Sequence, residues 1–113
     1  MKRLPELFIH DIAENILDME RFSRDLTKEQ LKTNKLRQNA IVRSLEVIGE
    51  AAAHVPSSFR EKYPEIKWKK IVGFRNIIIH SYFKVDIDIV WDVIKIDIPL
   101  LKTQIENIKK DLE

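Results

Sequence analysis

The stretch that decides the fold class is residues 87–112, IDIVWDVIKIDIPLLKTQIENIKKDL. Its apolar residues recur at alternating spacings of four and three, which is typical of an amphipathic helix with a heptad-like seam. The seam consists of Ile87, Trp91, Ile94, Ile98, Leu101, Ile105, Ile108 and Leu112. We expect this helix to begin after an Asp86 or Asp88 N-cap and to kink or break at Pro99. Such a seam serves either a helical bundle or a dimer.

Upstream of this stretch, the sequence predicts three further long helices and a short one. Apolar residues at spacings of three or four predict a first helix over residues 4–25. A second helix is predicted over residues 27–55, where Thr27 opens a capping box and the polar first half allows loose order. A short turn or helix over residues 56–63 and a helix over residues 66–80 follow. Together these elements predict an all-α, up-and-down helical bundle.

Composition and charge limit the classes of protein. The chain has 113 residues, of which 44% are hydrophobic, and this fits a single domain over residues 1–113. A formal net charge of +2 is low for a protein that coats nucleic acid, although a site that grips a few phosphates is compatible with it. The absence of cysteine excludes disulfides and thiolate zinc sites. With no signal peptide and no apolar run long enough to span a bilayer, we expect a cytoplasmic protein without membrane contact.

Residues 68–83 carry the side chains suited to catalysis. His80 can take a proton from a ribose 2′-hydroxyl near neutral pH, and Arg75 can hold the phosphate and neutralise developing charge, without a metal. On a regular helix these two residues lie roughly 140° apart. To act together they need a helix end, a bend, the reach of the arginine or a second subunit. Asn76 lies one turn from His80, and Gly73 leaves its face bare for another backbone or a ligand.

Ordinary structural explanations compete with these assignments. An arginine and a histidine at a helix end complement the helix dipole, and Tyr82 alone suits a packed aromatic residue with a hydrated hydroxyl. A further polar stripe runs along the second helix at Asn39, Arg43, Glu46 and Glu50. Solvated ion pairs would explain this stripe, and the alternative is a set of supporting residues that orients Arg75 or His80.

Other features of the sequence favour structural roles. His10 and Glu14 are spaced to hold a metal, but nothing joins them, so we expect a surface pair. His54 falls at a helix C-terminus, where the dipole explains it. Gly49 inside an apolar helix indicates close helix packing. The run at residues 67–70, KWKK, is either an ordinary solvent-exposed helix face or a positively charged edge of the site that attracts phosphate. The sequence does not decide between the two.

Several segments together resemble HEPN-domain toxins of the HepT type. Arg75, His80 and Tyr82 have the spacing of the RX4HXY motif of that family. The other similar segments are IGEAA at 48–52, YPEIKW at 63–68, GFRN at 73–76, YFKVD at 82–86, IVW at 89–91 and DIPL at 97–100. The resemblance extends over about residues 4–112 and is far more specific than the motif alone.

This resemblance implies a homodimeric HEPN bundle with the motif in a cleft at the dimer interface. It implies a metal-independent endoribonuclease toxin of a type VII-like toxin–antitoxin pair, without a cofactor of its own. Arg75 and His80 would be catalytic and Asn76 would shape the site. It further implies an RNA substrate and a minimal nucleotidyltransferase antitoxin, which uses ATP and Mg to transfer AMP onto Tyr82. The need for two histidines and the bare Gly73 face also favour a homodimer.

Two other functions stay open. The first is a non-catalytic HEPN module that binds RNA or a nucleotide in the same cleft. In that case, cells that express His80→Ala and cells that express the wild type should show equal toxicity or none. The second is a scaffold that holds a nucleotidyltransferase on the seam of the last helix. Nothing in the sequence identifies which RNA would be cut.

Overall fold

The computed structural model describes residues 4–79 and 86–113. These residues form helices and connecting turns, which confirms the predicted all-α fold. The helices are α1 (Pro5–Ser23), α2 (Lys28–Thr33), α3 (Lys35–Ala53), α4 (Ser57–Arg60), α5 (Trp68–Val72), α6 (Asn76–Ile79), α7 (Ile87–Asp92) and α8 (Ile98–Leu112). A 3-10 turn over Gly73–Arg75 joins α5 to α6, and a π turn over Val93–Asp97 joins α7 to α8.

The hydrophobic core lies where α1, α3 and α8 meet. α1 packs against both α3 and α8, and α3 also packs against α5 and the 3-10 turn. Side chains that are almost completely buried in this core include Ile9, Ile12, Ile16, Ile41, Leu45, Ile48, Leu101, Ile105 and Ile108. Full burial of one aliphatic side chain of this size stabilises a fold by about 1.5–3 kcal/mol relative to exposure. The core is therefore strong enough to fix the relative positions of α1 and α3.

The predicted second helix is in fact two helices, α2 and α3. The capping box at its start is confirmed, because the Thr27 hydroxyl accepts from Gln30 N at 3.1 Å and Gln30 Oε1 accepts from Thr27 N at 2.9 Å. The prediction of one continuous helix over residues 27–55 was wrong. Asn34 ends α2 and caps α3, since its side chain accepts from Arg37 N at 3.0 Å. The polar segment is thus a helix of its own, closed by a second cap.

The predicted helix over residues 66–80 begins later and is not regular. It starts at Trp68 and changes to the 3-10 turn at Gly73–Arg75 before α6 continues. A 3-10 turn holds 3.0 residues per turn instead of 3.6. Angular offsets calculated for a regular helix therefore do not apply between residues before and after this turn. The prediction that this helix reaches His80 falls outside the described residues.

The last predicted helix is interrupted where Pro99 predicted a break. Asp86 is its N-cap, as expected, because Asp86 Oδ1 accepts from Ile89 N at 3.2 Å. The break takes the form of the π turn at Val93–Asp97, with Pro99 in the first turn of α8. Proline has no N–H to complete the α-helical bond to the carbonyl four residues earlier, so the regular ladder cannot run through this point.

The heptad-like seam faces the core of the chain itself. Ile98, Leu101, Ile105 and Ile108 are all buried, so this part of the seam is not a free surface. In α7 the buried residue is Val90, whereas the predicted Ile87 and Trp91 are only half-buried; at the start of the π turn, Val93 and the predicted Ile94 are both buried. The π turn therefore displaces the apolar stripe by about one residue. Within residues 4–79 and 86–113, no helix has both the length and the apolar character that crossing a membrane requires.

Candidate active site

Arg75 lies at the end of the 3-10 turn, against the C-terminal half of α3. Its Nη1 donates to Glu50 Oε2 at 3.2 Å, and its side chain is 37% exposed. A guanidinium carries five N–H donors, so this one bond does not saturate it. Glu50 holds the arginine in place while the guanidinium keeps access to solvent, which is what binding of an anion requires.

Gly49 is the residue that allows this close approach. A Cβ atom at Gly49 would lie 2.6 Å from Arg75 N and 3.1 Å from Val72 O. No side chain fits at these distances, which confirms the close helix packing predicted from Gly49. A Cβ atom at Gly73, by contrast, would meet nothing within 4 Å, so the predicted bare face is open in the described part of the chain. The backbone of Arg75 is therefore fixed by direct contact with α3.

A groove of about 580 Å³ lies between α1 and α3. Its apolar lining comes from Phe8, Val47 and Ala51, and its polar lining from Asp11, Arg43, Glu46, Glu50 and His54. Arg43 Nη1 lies 3.5 Å from Glu46 Oε2, which is the solvated ion pair expected for this stripe. Asn39 is exposed and does not line the groove. Of the proposed supporting residues, the structure places Glu50 directly on Arg75 and brings Arg43 and Glu46 to the same groove.

His54 also lines this groove, which its predicted place at a helix C-terminus did not indicate. Its Nε2 lies 3.1 Å from Glu50 Oε1, and its ring stacks on Phe8 with the centroids 5.3 Å apart. The two oxygens of Glu50 therefore contact two different groups, His54 and Arg75. The sequence feature that could have indicated the Glu50–His54 contact is their spacing of four residues, which puts both side chains on one helical face.

His54 is the C-cap residue of α3, at the helix C-terminus where the sequence predicted it, and Arg60 binds backbone carbonyls at the same end. Arg60 donates to Ala52 O at 2.8 Å and to Val55 O at 2.9 Å. Its guanidinium also lies 5.8 Å from the centroid of the Trp68 ring. Arg60 thus adds side-chain hydrogen bonds at the C-terminal end of α3 and links this end to α5.

The lysine-rich run before the motif divides between structural and exposed roles. Trp68 is buried and donates from Nε1 to Tyr63 O at 3.1 Å. Lys70 Nζ lies 2.7 Å from Asp97 Oδ1 and ties α5 to the π turn. Lys69 is exposed. The run is therefore not one continuous phosphate-attracting rim.

The remaining predicted site residues have different outcomes. His80 and Tyr82 lie outside the described residues, so their placement beside Arg75 stays a prediction. Asn76 is the first residue of α6 and is exposed. His10 and Glu14 form the expected surface pair, 3.7 Å apart. In residues 4–79 and 86–113, no three His, Asp or Glu side chains are grouped so as to hold a metal ion.

Comparison with known proteins places the chain in a family. Residues 12–108 match a family model described as Ribonuclease HepT-like. The protein named putative RNase MJ1380 of Methanocaldococcus jannaschii is 40% identical over 105 residues, which cover 93% of this chain and 96% of that protein. Putative RNase MJ0125 of the same organism is 43% identical over 112 residues, 99% of this chain and 97% of that protein.

A relative from a second genus shows the same coverage. Probable ribonuclease HepT of Thermococcus cleftensis is 40% identical over 110 residues, which cover 97% of this chain and all (100%) of that protein. The search of solved structures gives no significant match. The family model spans most of the chain, and these relatives align with it over nearly their whole lengths. The chain therefore belongs to the ribonuclease HepT-like family, whose fold is the all-α HEPN bundle described above.

Proposed function

We propose that this chain is a metal-independent endoribonuclease that acts as the toxin of a toxin–antitoxin pair. The observation that carries the proposal is the position of Arg75, which α3 holds at the surface through Glu50 and Gly49. Membership of the ribonuclease HepT-like family and the ribonuclease names of the relatives support the same activity. RNA is the substrate class in this proposal.

In the proposed reaction, Arg75 binds the phosphate of the scissile linkage. Its free N–H donors suit the planar, bidentate recognition of a phosphate, and its charge offsets the charge that develops on the phosphoryl oxygens. His80, five residues further along the chain, takes the proton of the ribose 2′-hydroxyl. The 2′-oxygen then attacks phosphorus and the 5′-oxygen leaves. The products are a 2′,3′-cyclic phosphate and a 5′-hydroxyl, and Asn76 shapes the site.

The proposed neutralisation acts on Tyr82. A minimal nucleotidyltransferase antitoxin would use ATP and Mg to transfer AMP to this hydroxyl. An anionic nucleotide two residues from His80 would repel RNA phosphate and occupy the space that the substrate needs. We also propose that the chain works as a homodimer, because the open face at Gly73 allows another backbone to approach. Light scattering that gives a monomer at micromolar concentration would contradict the homodimer.

Cleavage of RNA in the presence of EDTA tests the ribonuclease. We expect the purified chain to cut RNA into products with 2′,3′-cyclic phosphate and 5′-hydroxyl ends, and both Arg75→Ala and His80→Ala to abolish this. Arg21→Ala is the matched control, since Arg21 is also a surface arginine near a carboxylate, with Nη1 3.7 Å from Asp18 Oδ1. Loss of cleavage in EDTA, or full cleavage by both active-site variants, would contradict the proposal.

Intact-mass spectrometry tests the neutralisation. The chain is expressed alone and together with a minimal nucleotidyltransferase, the class of protein proposed as its antitoxin. We expect AMP-sized mass increments only in the presence of the transferase, and none in Tyr82→Phe. An active transferase that leaves the wild-type mass unchanged would overturn the modification while leaving the ribonuclease intact.

The main alternative is a module that binds RNA or a nucleotide without cutting it. RNA binding that is undiminished in His80→Ala, with no cleavage by the wild type, would favour this alternative. The second alternative, a scaffold that holds a nucleotidyltransferase, cannot use the seam of the last helix as its binding surface, since Ile98, Leu101 and Ile105 are buried within the chain.

A further inference from the structure

We propose that His54 is a second proton-transfer residue of this site and gives a proton to the 5′-oxygen that leaves during RNA cleavage. The proposal rests on the ribonuclease function proposed above. It adds His54, the C-cap residue of α3, to the reacting groups.

The two oxygens of Glu50 bring His54 and Arg75 together. Glu50 Oε1 lies 3.1 Å from His54 Nε2, and Glu50 Oε2 lies 3.2 Å from Arg75 Nη1. The imidazole and the guanidinium are thus separated by the width of one carboxylate group. A phosphate bound by Arg75 lies next to His54, within reach of a hydrogen bond to its leaving oxygen.

Two contacts fix the orientation of the His54 ring. Glu50 accepts a hydrogen bond from Nε2, and a carboxylate bonded to one ring nitrogen sets the ring orientation and leaves the other nitrogen for the reaction. Phe8 stacks on the ring with an interplanar angle of 19°. The side chain is nevertheless 57% exposed and lines the groove, so RNA has access to it. Asp11, Arg43 and Glu46 line the same groove.

The chemistry of the reaction requires such a group. As the P–O2′ bond forms, the 2′-hydroxyl proton goes to the His80 imidazole, which becomes the imidazolium. As the P–O5′ bond breaks, the proton on Nδ1 of the His54 imidazolium goes to the 5′-oxygen, which leaves as a hydroxyl. One ring gains a proton and the other loses one, so the step balances, and exchange with solvent restores both rings.

Among the residues that the structure describes, His54 is the histidine that lines the groove beside Arg75. The chain has three histidines. His10 lies on α1, pairs with Glu14 and does not line the groove. In this proposal His54 gives a proton and His80 accepts one, so the two roles fall to two different histidines of the sequence.

The test compares two leaving groups on the same RNA. A short oligonucleotide that the wild type cuts is made with either a 5′-oxygen or a 5′-bridging sulfur at the scissile linkage. A thiolate leaves without protonation far more readily than an alkoxide, since thiol pKa values are about 8.5. The variant is His54→Gln, which keeps an N–H donor for Glu50 and cannot supply the proton. The matched control is His10→Gln, which alters the other histidine with a glutamate four residues away.

We expect His54→Gln to slow cleavage of the 5′-oxygen RNA by about 10²–10⁴-fold and that of the 5′-sulfur RNA by less than about tenfold. His10→Gln should match the wild type on both substrates. Melting curves check that each variant is folded, and His54→Asn should reproduce the pattern.

Equal slowing of the two substrates by folded His54→Gln and His54→Asn, or no slowing of either, would overturn the role of His54 as the proton donor. In that case the wild type still cuts the 5′-oxygen RNA, and the ribonuclease proposal stands. A wild type that cuts neither substrate would instead overturn the ribonuclease proposal and this inference with it.

Discussion

The two faces of α3 differ in burial and in charge. On one face, Ile41, Leu45, Ile48 and Ala52 are completely buried in the core. On the opposite face, the side chains of Arg43, Glu46, Glu50 and His54 line the groove and are 46–72% exposed. The helical period of 3.6 residues alone separates these two sets. One helix therefore both anchors the fold and presents charged groups beside Arg75.

This difference separates the residues that stabilise the fold from those available for chemistry. Burial of each core side chain contributes about 1.5–3 kcal/mol. An exposed ion pair contributes only about 0–1 kcal/mol, so substitutions in the groove cost little stability. Gly49 lies between the two faces, where α3 touches Arg75. Substitutions at the core face, at Gly49 and at the groove face should therefore have effects of different kinds.

The largest loss of stability is expected for Leu45→Ala on the core face. Leu45 has no exposed surface, so truncation leaves a cavity and lowers the free energy of unfolding by about 2–5 kcal/mol. Urea denaturation followed by circular dichroism measures this change. Leu36→Ala is the control on the same helix, because Leu36 is 82% exposed and should change stability by no more than about 0.5 kcal/mol. Equal losses in the two variants would contradict the division between the faces.

A smaller loss of stability, combined with lower activity, is expected for Gly49→Ala. The added methyl group would lie 2.6 Å from Arg75 N, so the helices must separate, at a cost of about 1–3 kcal/mol. Displacement of Arg75 should also slow RNA cleavage. Denaturation and cleavage assays measure the two effects.

The control for Gly49→Ala is Gly73→Ala. Its methyl group meets nothing within 4 Å, and the backbone conformation is helical, with φ −62°. Within a single chain, we expect Gly73→Ala to leave the free energy of unfolding unchanged or raise it by about 0.4–1 kcal/mol. A destabilisation by Gly73→Ala as large as that by Gly49→Ala would show that contact with Arg75 is not the cause.

The smallest effect on stability is expected for Glu50→Gln on the groove face. Loss of its exposed ion pairs should change the free energy of unfolding by at most about 1 kcal/mol each. Arg75 would lose its anchor, and RNA cleavage should fall by about 10- to 100-fold, as expected for a misplaced catalytic group. Glu14→Gln, which removes the similar His10–Glu14 pair on α1, should leave cleavage unchanged. Unchanged cleavage in Glu50→Gln would show that Glu50 does not position Arg75.

The elements that the sequence predicted correctly depend on local or steric signals. Thr27 and Asp86 cap helices through residues three positions away, and such pairs are visible in the sequence. Gly49 lacks a side chain, so it indicates a close approach by another segment, whichever residue that segment contributes. Asn34 was missed because the residue three positions later is Arg37, so the second half of a capping box is absent. The stretch around Asn34 is also polar, so it has no apolar periodicity whose interruption would mark the boundary between α2 and α3.

The contacts of the site depend on tertiary packing and are harder to predict. Glu50 and Arg75 are 25 residues apart in sequence. A polar stripe on an apolar helix indicated supporting residues but did not select Glu50 as the partner of Arg75. His54 was correctly predicted at the C-terminus of α3, but its contact with Glu50 in the groove was not predicted. Its stacking on Phe8 joins two helices, and no local pattern records such a contact.

The π turn at Val93–Asp97 sets the rotational phase between α7 and α8. A π turn accommodates one residue more per turn than an α-helix, so it behaves as a single-residue insertion that the helix has absorbed. Deleting one residue there, such as the exposed Lys95, would allow a regular α-helix to run from α7 into α8 while α7 keeps its buried face. The extra residue therefore explains why Val90 is buried in the core whereas Trp91, the next residue, is only half-buried.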